Sequence, residues 1–165
     1  MDVTDEEAVK HAYLETARVY GGVDVIVNNA GLATSSPFDE TTLKEWNMNI
    51  NVLGTGYFLV AREAFKMMKV QAFGGSMVFV GSKNSVYAGK NVTAYSSVKA
   101  LEAHLARCIA AEGGEYGIRV NTILPDAILQ ARRSGILIGE TNVRLRTVSN
   151  RISLRSTTVS ALRCW

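Results

Sequence analysis

Three short apolar runs constrain this chain most: Val23-Asp24-Val25-Ile26-Val27, Ser76-Met77-Val78-Phe79-Val80-Gly81 and Ile118-Arg119-Val120-Asn121-Thr122-Ile123-Leu124. Each is rich in β-branched residues and nearly continuous in its apolar character, the pattern of a buried parallel strand. Each follows a segment of helical character. Residues 4–20 carry Val9, Ala12, Tyr13, Ala17 and Tyr20 as an apolar stripe, with Thr4 as the expected cap, Glu7 as its capping-box partner and Gly21-Gly22 as the stop. Residues 41–69 read as helix with a break near Gly54-Thr55-Gly56, ended by Gly74-Gly75, and residues 93–112 read as a long helix ended by Gly113-Gly114. Alternation of this kind predicts an α/β domain with a parallel sheet and helices on both faces. Ligands in such sheets bind beyond the carboxyl ends of the strands. The turns Asn28–Gly31, Ser82–Ser85 and Pro125–Ile128 are therefore expected to line one cleft.

Composition narrows the classes of function. With 47% apolar and 20% charged residues among 165, the chain is of ordinary globular make-up. No uncharged apolar run approaches the ~18 residues of a membrane span. Cys108 and Cys164 are too few and too far apart for a disulfide scaffold or a Cys-rich zinc site. The first residues show no secretion signal, so a reducing, cytoplasmic setting is the expectation. The net charge of +3 hides a split: residues 1–130 hold 11 Lys/Arg and 14 Asp/Glu (11 − 14 = −3), while residues 131–165 hold seven Arg and one acid (7 − 1 = +6).

Tyr95 and Lys99 lie four apart on a predicted helix and so share a face. Thirteen residues upstream, Ser82 stands at a strand's carboxyl end, and Asn51 lies on an earlier helix. A phenol is a poor base at neutral pH, but a neighbouring ammonium favours its ionised form.

In order and spacing, Asp2-Val3, Asn28-Asn29-Ala30-Gly31, Asn51, Ser82, Tyr95-x-x-x-Lys99 and Arg119-Val120-Asn121 before Pro125 resemble the short-chain dehydrogenase/reductase family across roughly residues 1–130. The resemblance implies a partial Rossmann-like, doubly wound parallel sheet and an oxidoreductase using NAD or NADP. It implies Tyr95 as acid or base, Ser82 as the group orienting the substrate oxygen, Lys99 as activator of Tyr95 and holder of the nicotinamide ribose, and Asn51 as support for a proton relay. It places Asp2, Val3, Asn28, Ala30, Gly31, Tyr95, Lys99, Pro125 and Ile128 at the cofactor. No metal is implied: His11 and His104 lack partners at ligand spacing. Each element has a plainer reading too. Asn28–Gly31 can be only a turn, Asn51 only a cap beside Gly54, and Asp2 only a terminal acid. Ser85 and Tyr87 compete with Ser82 and Tyr95, although Tyr87 has Asn91, not Lys, four residues on. Cys108 reads as inert packing.

A narrower resemblance lies in Gly81-Ser82-Lys83-Asn84-Ser85, Gly89-Lys90-Asn91, His104-Leu105-Ala106-Arg107-Cys108 and Pro125-Asp126-Ala127. These look like the dehydrogenase half of bifunctional rhamnulose-1-phosphate aldolase/alcohol (lactaldehyde) dehydrogenases, which implies a small alcohol or aldehyde substrate such as lactaldehyde and a place in rhamnose metabolism. Asp126 stands where most of the family has Gly.

Two family parts are not seen. One is the opening strand and helix with the Gly-rich turn that receives the pyrophosphate; the other is the last strand. Residues 131–165, rich in Arg, Ser, Leu and Thr, read as an irregular basic tail outside the family pattern, and a shift of reading frame near Gln130 is the expected cause. Two further readings follow: a catalytically dead fragment keeping its site residues, and a nucleic-acid or membrane binder using the tail. The tail lacks Lys and aromatic interleaving, so neither of those partners is expected. A homo-oligomer through the helices of Asn51 and Tyr95 is.

Overall fold

The structure, a computed structural model, describes residues 1–126 and the strand Val159–Arg163. The element order is α1 (Glu6–Tyr20), β1 (Val25–Asn28), α2 (Leu43–Asn49), α3 (Gly56–Gln71), β2 (Gly75–Val80), α4 (Thr93–Gly113), β3 (Ile118–Pro125) and β4 (Val159–Arg163). The sheet runs β1-β2-β3-β4, and β1, β2 and β3 are mutually parallel. The α/β class and all three expected strands are present. A finding of the fold is β4, which pairs antiparallel with β3 from Asn121↔Arg163 to Pro125↔Val159. An irregular tail was the expectation there; the other residues of 131–165 lie outside those described.

Local chemistry explains the element ends. Asp5, not Thr4, caps α1: its carboxylate accepts from Glu7 N at 2.9 Å and Ala8 N at 3.0 Å. Thr4 is drawn off because its amide and hydroxyl both donate to Asp2 at 2.8 Å. The capping box occurs instead at α2, where Thr42 and Glu45 serve each other's backbone. The helix break expected near Gly54 is a π-helical segment, Ile50–Thr55, inserted between α2 and α3. Gly56, at its exit, is close to Val3: a Cβ there would lie 2.8 Å from Val3 Cγ2, so only glycine lets the N-terminal segment dock at this point.

One core joins the three long helices to one face of the sheet. Val9, Leu53, Ala64, Met68, Met77, Phe79 and Ala106 are fully buried together with Val98, Ile118 and Val120. Burial of each large apolar side chain contributes roughly 1.5–3 kcal/mol before conformational entropy is counted. Tyr13 pins α1 to α3 by donating to Val60 O at 3.0 Å, and Tyr57 meets Phe79 edge-on at 5.4 Å. The other face differs from the expectation of helices on both sides. Val25 and Val27 of β1 are 60% and 59% exposed, and among the described residues helices cover one face only. Side chains alternate across a strand, so a single helical layer buries alternate residues and leaves the rest to solvent.

Candidate functional site

The carboxyl ends of β1, β2 and β3 gather most of the residues singled out by sequence. Gly81 leaves β2 against β3, its amide donating to Ile123 O at 2.9 Å. A Cβ on Gly81 would lie 2.9 Å from Thr122 Cγ2 and 3.2 Å from Ile123 O, so glycine is what lets the chain turn so close to β3. Ser82 follows, extended and half-buried, and its hydroxyl caps the short 3₁₀ turn Lys83–Ser85 by accepting from Asn84 N at 3.2 Å. That hydroxyl keeps its own proton to donate. The same turn packs on α4, as does the π-helical segment carrying Asn51. Asn51 is exposed, and its carbonyl accepts from Gly56 N–H in the π-type turn.

On α4, Tyr95 is half-buried and Lys99 buried. Lys99 Nζ lies 5.7 Å from the centre of the Tyr95 ring and 5.3 Å from that of Tyr57. Its ammonium donates to Val80 O at 3.0 Å, the last carbonyl of β2, and to both oxygens of Glu102 at 2.9 and 3.1 Å. Tyr57 Oη donates to the same Val80 carbonyl at 3.2 Å. Burial pushes the Tyr57 phenol well above its ordinary value, with Glu102 and Tyr95 adding to the effect. Burial also raises the Glu102 carboxyl to about 7, against the opposing pull of Lys99.

Asn28 is buried at the end of β1, its amide 3.5 Å from Tyr57 O; Ala30 is half-buried and Gly31 exposed. Pro125 is half-buried at the end of β3, and Ile128 lies outside the described residues. Asp2 is exposed, with its carboxylate held below its ordinary range by the amide and hydroxyl of Thr4; Val3 is half-buried against the core. Ser82, Tyr95 and Lys99 are thus brought to one end of the sheet, while Asp2 stands in its own turn at the start of the chain.

Competing residues fare differently. Tyr87 is 65% exposed, and Ser85 Oγ is buried without a hydrogen-bond partner. Cys108 is exposed rather than packed, because it sits on the outer side of α4. His104 is exposed beside Arg107, at 3.1 Å. Among the described residues no group of His, Cys, Asp and Glu could hold a metal, and no helix is long and apolar enough to cross a membrane. Sequence reasoning passed over Glu102 and Tyr57. Glu102 had a signal: an acid three residues after Lys99 and seven after Tyr95 shares their helix face. It also passed over the pairing of Lys83 with Asp126, which ties the turns after β2 and β3 together.

Comparison with known proteins decides the family. Residues 1–136 match the short chain dehydrogenase family. The chain belongs to that family. Among curated short-chain relatives, it is 79% identical over 130 residues to the uncharacterized oxidoreductase YuxG of Bacillus subtilis, covering 79% of this chain and 19% of that one. It is 34% identical over 128 residues to D-threitol dehydrogenase of Mycolicibacterium smegmatis, covering 78% of this chain and 49% of that enzyme. Among solved short-chain dehydrogenases, a gluconate 5-dehydrogenase from Burkholderia cenocepacia, in complex with NADP and tartrate, superposes with a TM-score of 0.69 at 27% identity over 72% of this chain and 46% of that one. The chain therefore spans about half or less of the length of these relatives.

Proposed function

We propose that this chain carries the proton-transfer and ribose-binding part of a nicotinamide-dependent alcohol dehydrogenase. The observation that carries the reading is the placement of Ser82, Tyr95 and Lys99 at the carboxyl end of β2, with the Lys99 ammonium anchored on Val80 O beneath Tyr95. In alcohol oxidation the substrate hydroxyl proton passes to the Tyr95 phenolate as the carbinol carbon gives up its hydride and the carbonyl forms; reduction is the reverse. Ser82 hydrogen-bonds the substrate oxygen and sets its direction. Lys99 places its positive charge 5.7 Å from the centre of the Tyr95 ring.

The nicotinamide cofactor supplies the acceptor or donor of the hydride. The donor set present fits its nicotinamide–ribose end: a buried ammonium, a half-buried phenol and the turn Asn28–Gly31 stand at one end of the sheet. Lys99 and Tyr95 would hold the ribose, Asn28, Ala30 and Gly31 would lie along it, Asp2 would lie toward the adenine, and Val3, Pro125 and Ile128 would complete the contacts with the cofactor. Asn51, on the π-helical segment against α4, would support the proton relay. Replacing Tyr95 with Phe tests the reading. Turnover of small alcohols is expected to fall by about 10²-fold or more while cofactor binding persists. Unchanged turnover in the variant, or no saturable binding of NADH and NADPH to the parent, would overturn it.

The finer reading is a small alcohol or aldehyde substrate of the lactaldehyde type, within a bifunctional aldolase/dehydrogenase. Its support is a difference in length. The 130 matched residues are 19% of the Bacillus subtilis relative, making it about five times as long as the match, whereas the D-threitol dehydrogenase is about twice as long. A relative of that size has room for a second catalytic domain. Faster turnover of threitol than of lactaldehyde would sink this assignment. The break in composition after Gln130 is read with it as a shift of frame; coding DNA without a family continuation in another frame would refute that. Self-association through α3 and α4 belongs to the same reading, supported by Phe58 and Leu101, 44% and 43% exposed on those helices.

A further inference from the structure

We propose that Glu102 is a positioning residue of this site, holding Lys99 in place and setting how much of its positive charge reaches Tyr95. The inference rests on the dehydrogenase reading above.

Three observations carry it. First, the pair is sealed: the Lys99 and Glu102 side chains are 5% and 0% exposed. Second, the contacts converge. Both Glu102 oxygens and the Val80 carbonyl engage Nζ, so the long lysine chain is tied at its tip to α4 and to the last residue of β2. Third, Tyr95, Lys99 and Glu102 occupy one helix face, with the ammonium between phenol and carboxylate in sequence.

The site could be filled more simply. A buried ion pair is weak evidence for stability, since apolar residues of similar volume often do as well. What an apolar residue cannot do is direct the ammonium or offset its charge. With Glu102 ionised, Tyr95 faces an ion pair; with Glu102 protonated, it faces a full cation. Charged or titratable neighbours of Glu102 are Lys99 on its own helix and Tyr57 on α3, whose hydroxyl shares the Val80 carbonyl with Lys99. Cofactor binding that draws on Lys99 then draws on the counter-ion of Glu102 as well.

Glu102→Gln in the full chain, confirmed folded by circular dichroism, removes the charge and keeps the shape. The rise of alcohol oxidation with pH is expected to begin about one pH unit lower in this variant, the scale of effect of one nearby charge. A residue that only fills space would alter stability and leave that midpoint where it was. A second readout needs no turnover. In chain labelled with carboxyl-¹³C glutamate, the Glu102 resonance, identified by its loss in Glu102→Gln, is expected to titrate above the other glutamates. Its midpoint is expected to rise further on saturation with NADH or NADPH, whichever binds. If cofactor binds and the resonance does not move, and the variant's midpoint matches the parent's, this inference is wrong and the dehydrogenase reading stands. If neither cofactor binds, the dehydrogenase reading fails first.

Discussion

Two ion pairs stand at the same end of the sheet and mean different things. Lys99–Glu102 forms the floor, closed off from water at 5% and 0% exposure; Lys83–Asp126 forms the rim, with both side chains about half exposed at 47% and 45%. Each joins a lysine to an acid, but their surroundings set their weight. Water screens the rim pair and leaves each partner a solvated alternative. The floor pair has none, so each member depends on the other, and removing Lys99 leaves Glu102 protonated and without its partner in the core. The rim can thus tie two turns together at little energetic consequence, while the floor fixes the tip of Lys99 inside the core.

The sharpest way to break this contrast is Lys99→Met. With Lys99 gone, the buried Glu102 holds its proton at neutral pH and lacks its partner, and urea unfolding is expected to show a loss of about 1–3 kcal/mol. Adding Glu102→Leu is expected to recover most of that loss without restoring turnover, because the packing returns and the ammonium does not. A smaller effect separates the floor from ordinary carboxylates. The Glu102 carboxyl titrates near 7 in the fold, above the usual glutamate value of 4.5. A raised acid binds its proton more tightly when folded, so its contribution is fully present below about 4.5 and is lost as pH rises through about 7. Relative to Glu102→Gln, the parent is expected to lose stability across that window and level off above it. An equal pH slope in both proteins would place the titration elsewhere. The smallest effect belongs to the rim: Lys83→Ala or Asp126→Asn is expected to cost under about 1 kcal/mol and to matter less at high salt. A rim loss as large as that of Lys99→Met would erase the distinction between the two regions.

Much of this arrangement was legible from residues alone, for identifiable reasons. The three strands announce themselves because β-branched runs bounded by turn residues have few other uses. Tyr95 and Lys99 share a face by helix geometry, and Ser82 follows a strand. Other features depended on competition between neighbours. Thr4 loses the cap of α1 to Asp5 because its own donors are taken by Asp2. The break near Gly54 becomes a π-helical segment around Asn51 because both flanking helices continue through it. The apolar character of Val25 and Val27 suggested burial, yet both are exposed, since only one face of β1 meets a helix among the described residues.

By itself, then, the sequence determined the class of fold, the order of its elements and which of Ser82, Tyr95 and Lys99 share a strand end or a helix face, because these follow from local periodicity and side-chain chemistry. Tertiary structure alone decided that the Lys99–Glu102 pair is sealed from water, that Tyr57 shares the Val80 carbonyl and that Lys83 reaches Asp126. Those contacts join groups on different strands, helices and turns, or depend on which face of a helix is sealed from water, and nothing in the local pattern of a chain specifies either.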